Sequence, residues 1–244
     1  MDPARAAALH AALGSGGTAP GPGDPLPPFF HHAYFWRLHP PGDLGPDGHP
    51  RQGLGAIPDT GLPRRMWAGG RLTFHAPLRT GREAVRRTVL EGLERKRGRS
   101  GPLAFVTLRH EVEQDGRTVQ TEWQDLVYRG PTAPATPPAA PEAAVAARYG
   151  TDPILLFRYS SLTGNGHRIH YDADYARGTE GYGGLVVHGP LLAQWMMLAA
   201  GPMDGFRFRA RAPAICGAEI RILRNGPRLW VVSEAGLHME GEAL

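Results

Sequence analysis

The eleven-residue run from Pro190 to Ala200, PLLAQWMMLAA, limits the possible folds of this chain more than any other stretch. Pro190 suits a first helical turn and Gly201-Pro202 ends the run, so it reads as a helix. Apart from Gln194 it is apolar on every face, and such a helix must be wrapped by the rest of its domain. An antiparallel sheet curled around it is the simplest wrapping, which places the chain in the α+β class.

What precedes the helix is polar. Asn165 to Asp174 reads NGHRIHYDAD, and Val187-His188-Gly189 leads into the first turn. Free N–H groups and the positive dipole end gather at that turn, making a site for an anion or a developing oxyanion. Gly189 would let a ligand approach the backbone closely. Buried polar groups need partners, so a polar cluster feeding a buried helix is costly unless it is used.

An internal repeat sets the organisation. Ala76-Pro77, Gly81 and Glu83 recur as Ala212-Pro213, Gly217 and Glu219, each shifted by 136 positions. In both copies an alternating strand precedes the motif, and a hairpin and a further strand follow it. Asp115-Gly116 and Asn225-Gly226 mark the hairpin turns. The copies differ at one place. Where the second has its apolar helix, the first has GLGAIPDTGLP, residues 53–63, with no helical period. The first copy has lost its helix, and chemistry is expected in the second alone.

Three units follow: an N-terminal domain over 1–130 with an arm over 1–28, a Pro/Ala-rich linker over 131–147, and a catalytic domain over 148–244. Asp2-Pro3 should start a short helix in the arm. Phe29 to Leu38 is dense in aromatics and suits a core wall or the lining of an acyl pocket. Residues 40–63 form a long irregular loop of the kind that often serves a site. Glu83 to Arg95 carries both helical and strand signals.

Composition narrows the function classes. With a net charge of +4 spread along the chain, a phosphate-binding face for nucleic acid is not expected. One cysteine, Cys216, rules out an internal disulfide and fits a cytoplasmic setting. No apolar run is long enough to span a membrane, and there is no P-loop, Rossmann or serine-hydrolase signature.

The residues T-G-N-G-H-R-I-H-Y-D-x-D-Y-A from Thr163 and G-L-V-V-H-G-P-L from Gly184 resemble the active region of the MaoC-like dehydratases. The form H-R-I-H-Y-D is most similar to mesaconyl-CoA hydratases and type 2 hydroxyacyl-thioester dehydratases. The runs P-R-R-M-W-A-G-G-R-L from Pro63 and R-S-G-P-L-A-F-V-T-L-R-H from Arg99 resemble the N-terminal half of that branch. The resemblance covers most of residues 29–244. It implies a double hot-dog fold: two antiparallel sheets, each wrapping a central helix, with the first helix degenerate. It also implies reversible addition of water to an enoyl thioester, short and branched or dicarboxylic in its acyl part. Under it His170 is the catalytic histidine and Gly189 supplies the oxyanion N–H. Related hydratases place an Asp where this chain has Asn165, so Asn165 would hold a water while His170 moves both protons, tuned by His167 or Asp172. Arg168, Tyr171, His188, Arg64 and Arg65 are candidate substrate contacts, and the run Arg95, Lys96, Arg97, Arg99 could meet coenzyme A phosphates. No cofactor is expected beyond coenzyme A or an acyl carrier as part of the substrate.

Other readings stay open here. The same fold could serve an acyl-CoA thioesterase or a non-catalytic acyl-thioester binding subunit. His167, His170 and Asp172 could be read as a metal cluster, but beyond the two imidazoles of H-x-x-H no further ligand has convincing spacing, no H-E-x-x-H is present, and no metal is expected. Association of two chains is also open.

Overall fold

The computed structural model of the chain describes residues 1–98 and 101–244. The elements are α1 (Pro3–Ala12), β1 (Arg64–Phe74), β2 (Val85–Gly98), β3 (Gly101–Gln114), β4 (Arg117–Arg129), β5 (Ala144–Tyr149), α2 (Pro153–Thr163), α3 (Ala173–Gly178), α4 (Gly189–Ala200), β6 (Gly205–Ala210), β7 (Ile220–Asn225), β8 (Arg228–Ser233) and β9 (Gly236–Ala243).

The strands form one antiparallel sheet in the order β2-β3-β4-β1-β6-β9-β8-β7-β5. Read outward from its middle, β1-β4-β3-β2 mirrors β6-β9-β8-β7, which is the duplication seen in the repeat. Gly81 and Gly217, equivalent in that repeat, both have positive φ, +73° and +98°, where a side chain would be strained. The expected pair of separate sheets is corrected in one respect. β1 and β6 pair from Gly69↔Arg209 to Thr73↔Gly205, fusing the halves edge to edge. That pairing stops at Gly69, so residues 64–68 of β1 are released from β6 and a gap opens in the sheet.

The second half wraps α4 as its sequence requires. Leu191, Trp195 and Met196 are fully buried against Phe206, Ile222 and Val231, and Trp195 stacks on Tyr149 at 4.4 Å. Each such side chain stabilises the fold by about 1.5–3 kcal/mol. Gln194, the single polar residue of the helix, donates from Nε2 to the Pro28 carbonyl at 3.3 Å and ties the N-terminal arm to the core. Asp2 caps α1 by accepting from the Ala4 N–H.

Among the described residues, no α-helix takes the place in the first half that α4 holds in the second. Ala56, Ile57 and Leu62 of the irregular loop pack instead on Ala104, Val106, Leu108, Leu126 and Tyr128. A loop fills less volume than a helix, and a cleft of about 620 Å³ remains beside it. Glu83 to Arg95 resolves as strand: β2 sits at the sheet edge, and Val85, Val89, Leu90 and Leu93 are each 40% exposed or more. Between β4 and β5, residues 130–143 have no regular structure. No helix of the described residues is long and apolar enough to cross a membrane.

Candidate active site

The polar stretch folds as a sequence of caps. Helix α2 ends at Gly164 with φ +62°, where any Cβ would meet the Trp36 ring. Asn165 Oδ1 then accepts the His167 N–H at 3.1 Å, an Asx-type turn that starts a short 3₁₀ turn over Arg168–His170. That turn is fastened to the segment entering α4: the Val186 N–H donates to the Ile169 carbonyl, and Val187 to Ala214.

His170 Nδ1 lies 2.7 Å from the Val186 carbonyl oxygen. A carbonyl only accepts, so Nδ1 carries the proton and Nε2 keeps a lone pair. Nε2 makes no hydrogen bond among the described residues. The ring stacks on His188 at 3.6 Å, and His188 Nε2 is hydrogen-bonded to Ser160 Oγ of α2 at 2.8 Å. His167 meets His170 edge-on at 5.5 Å and His49 at 4.5 Å.

All four rings favour the neutral state. Burial lowers His170 to about 4 despite its bond to the Val186 carbonyl. Burial, then the charges of His170 and Arg65, lower His167 to about 3. His49 and His188 are held well below 6.5, chiefly by burial.

Asn165, His167, His170, Gly189 and Arg65 line one cavity of about 220 Å³ set in the gap between β1 and β6. Its far wall is Ala210 to Ala214, and no Asp or Glu lines it. Gly189 is the first residue of α4, where N–H groups have no intrahelical acceptor. Trp67 covers this residue closely: a Cβ on Gly189 would stand 2.6 Å from the indole. His188, beneath His170, is buried behind the cavity wall.

Four expected site residues are employed elsewhere. Asp172, expected to tune His170, caps α3 by accepting the Tyr175 N–H and takes Arg168 at 2.8 Å, so both its oxygens are occupied away from His170. Arg168, held by Asp172, also donates to the Pro46 carbonyl and lies over the Tyr175 ring. Tyr171 donates to the Gly166 carbonyl and closes the turn. Arg64 binds Glu180 and the Thr132 and Thr179 carbonyls, pinning the linker. In the basic run, Arg95 holds the Thr60 carbonyl, and Arg99 lies outside the described residues.

Several site residues escape sequence reasoning. His49 comes from the long irregular loop, which docks through the Arg168 N–H donating to the Asp47 carbonyl at 2.8 Å. Trp67, Gln124 and Arg129 come from the first half. The only available signal was the loop's length. A second polar cluster joins His31 and His32 to Glu122, with bonds of 2.8 and 3.1 Å, and their ligand atoms lie within 4.8 Å of one another. Glu122 already accepts from both rings and feels the Arg86 charge, so the network is satisfied without an ion.

Residues 29–216 match the family of type 2 hydroxyacyl-thioester dehydratases. The chain belongs to this family. It is 46% identical over 238 residues to a mesaconyl-C(4)-CoA hydratase of Chloroflexus aurantiacus, covering 93% of this chain and 85% of that one. Among solved structures, HtdX of Mycobacterium tuberculosis superposes over the whole chain and 97% of its own, with a TM-score of 0.72 at 17% identity. Another protein of the same organism, described as having a double hotdog fold, also covers the whole chain and 92% of its own, with a TM-score of 0.57 at 16% identity. As a member of the type 2 dehydratase family the chain is a hydro-lyase of acyl thioesters, on a double hot-dog scaffold whose first helix is replaced by a loop.

Proposed function

We propose that this protein catalyses reversible hydration of a dicarboxylic enoyl-CoA, with mesaconyl-C(4)-CoA the leading substrate by likeness to the Chloroflexus relative. The observation that carries the reading is the state of His170: Nδ1 is committed to Val186, the ring is neutral, and Nε2 keeps a free lone pair at a cavity that Gly189 also lines and whose lining holds no carboxylate.

The mechanism follows from those groups. Asn165 orients water beside His170, and its amide cannot take the proton. His170 Nε2 removes a proton as the water oxygen bonds to the β-carbon. The π electrons move to the thioester oxygen, where the Gly189 N–H and the α4 dipole receive the charge. The imidazolium then delivers its proton to the α-carbon on the same face, giving syn addition and restoring His170. Since the ring is a weak base, its conjugate acid is strong and gives up that proton readily.

The test is a panel of enoyl-CoAs followed by loss of their conjugated absorbance, with free thiol measured in parallel. Loss of absorbance without thiol release supports hydration. Thiol release from saturated acyl-CoAs supports a thioesterase instead.

A further inference from the structure

Arg64 and Arg65 are neighbours on β1, so their side chains leave the sheet on opposite faces. Arg64 is fully engaged with Glu180 and two carbonyls. Arg65 is half-buried and makes no hydrogen bond or ion pair among the described residues. An unpaired guanidinium removed from water is costly, and retaining one suits an anion that arrives with the ligand. Asp47 senses the Arg65 charge but makes no ion pair with it, and its Oδ1 instead accepts the His49 N–H at 3.1 Å.

The position of Arg65 is distinctive. It lines both the catalytic cavity and the 620 Å³ cleft left by the missing helix, and neither carries an Asp or Glu in its lining. It lies two residues from Trp67 on the same face of β1, so the two are about 7 Å apart along the strand. Trp67 abuts Gly189, the oxyanion end. A four-carbon diacyl group plus one hydrogen bond is of the same order of length, and His167 and His170 line the same cavity.

We infer that Arg65 reads the free carboxylate of the acyl group and so sets the preference for dicarboxylic over monocarboxylic thioesters. This rests on the hydratase reading above. The ligand chemistry is an anion paired with a guanidinium, and phosphates of coenzyme A could supply it as well as an acyl carboxylate. The experiment therefore separates the two.

Succinyl and butyryl thioesters, each on coenzyme A and on phosphate-free pantetheine, are titrated calorimetrically against the wild type, Arg65→Gln and Arg65→Lys. The expected result is a roughly 10- to 100-fold weaker succinyl affinity in Arg65→Gln on either carrier. Butyryl affinity stays within about threefold and Arg65→Lys recovers part of the loss. Equal losses for both acyl groups on coenzyme A that vanish on pantetheine would assign Arg65 to a phosphate and overturn the inference. No loss, or a uniform loss with every ligand and both variants, would overturn it too. Binding is read without turnover, so an enzyme that binds as expected but hydrates no enoyl thioester would sink the hydratase reading separately.

Discussion

The Val186 carbonyl fixes the proton of His170 on Nδ1, at 2.7 Å. Because the Val186 N–H is itself held by Ile169, carbonyl and imidazole move together. One backbone group thus sets tautomer, ring orientation and the free lone pair of the proposed catalytic base.

The pH dependence follows. The free enzyme is active while His170 is neutral, so kcat/KM loses activity only as pH falls toward about 4, not through 6.5. A monocarboxylic enoyl thioester on phosphate-free pantetheine is the right substrate, since it carries neither a carboxylate nor a phosphate that titrates in that window. An acidic limb near 6.5 would contradict the assignment.

Asn165→Asp keeps the acceptor for the His167 N–H, so the turn should persist. It also places a negative charge in a cavity lined by no carboxylate. That charge favours imidazolium and raises the His170 pKa. The acidic limb of the profile should move to higher pH, with thermal stability changed little.

Gly189→Ala should cost both rate and stability. The added Cβ meets Trp67, which is already packed on Phe29 and Phe208, so the indole cannot retreat freely. The loss should be about 1–3 kcal/mol of stability by overpacking, and about 100-fold or more in kcat as the oxyanion donor is displaced. Denaturant unfolding and steady-state kinetics measure the two separately.

Acid should destabilise the fold early. Seven histidines, His31, His49, His110, His167, His170, His188 and His238, have folded pKa values below 6.5, chiefly through burial. The unfolded chain takes up their protons below about 6.5, while the folded chain resists until about 4 at His31 and His170. Their stability contribution is complete above pH 7 and is lost progressively from about 6.5 down to 4. Each such group removes up to about 1.4 kcal/mol per pH unit there. Melting temperatures across that range check it.

Much of this was legible in the chain because local chemistry and global fold agree. The helix at Pro190, the repeat and the Asp115-Gly116 and Asn225-Gly226 turns each express one backbone requirement. Glu83 to Arg95 was ambiguous because an edge strand exposes part of its apolar set and need not alternate strictly. Helix α2 carries its signals, Asp152 as cap and Gly164 at its end, yet residues 153–163 were assigned no element of their own. His49 and Trp67 could not be placed at all. Only tertiary docking of the first half brings them to the second, and no period in the sequence encodes it. Asp172 was ambiguous for a different reason: a carboxylate beside a histidine in sequence can cap a helix or tune the ring, and here it caps α3.

The most direct test of the account is hydration by His170→Gln, measured at saturating substrate beside the wild type, with acyl-CoA binding titrated for both. Gln lacks a group that can take and return a proton. The account predicts binding within a few-fold of wild type and a rate lower by about 10²–10⁴. A variant that binds substrate and still hydrates it within a few-fold of the wild-type rate would contradict it.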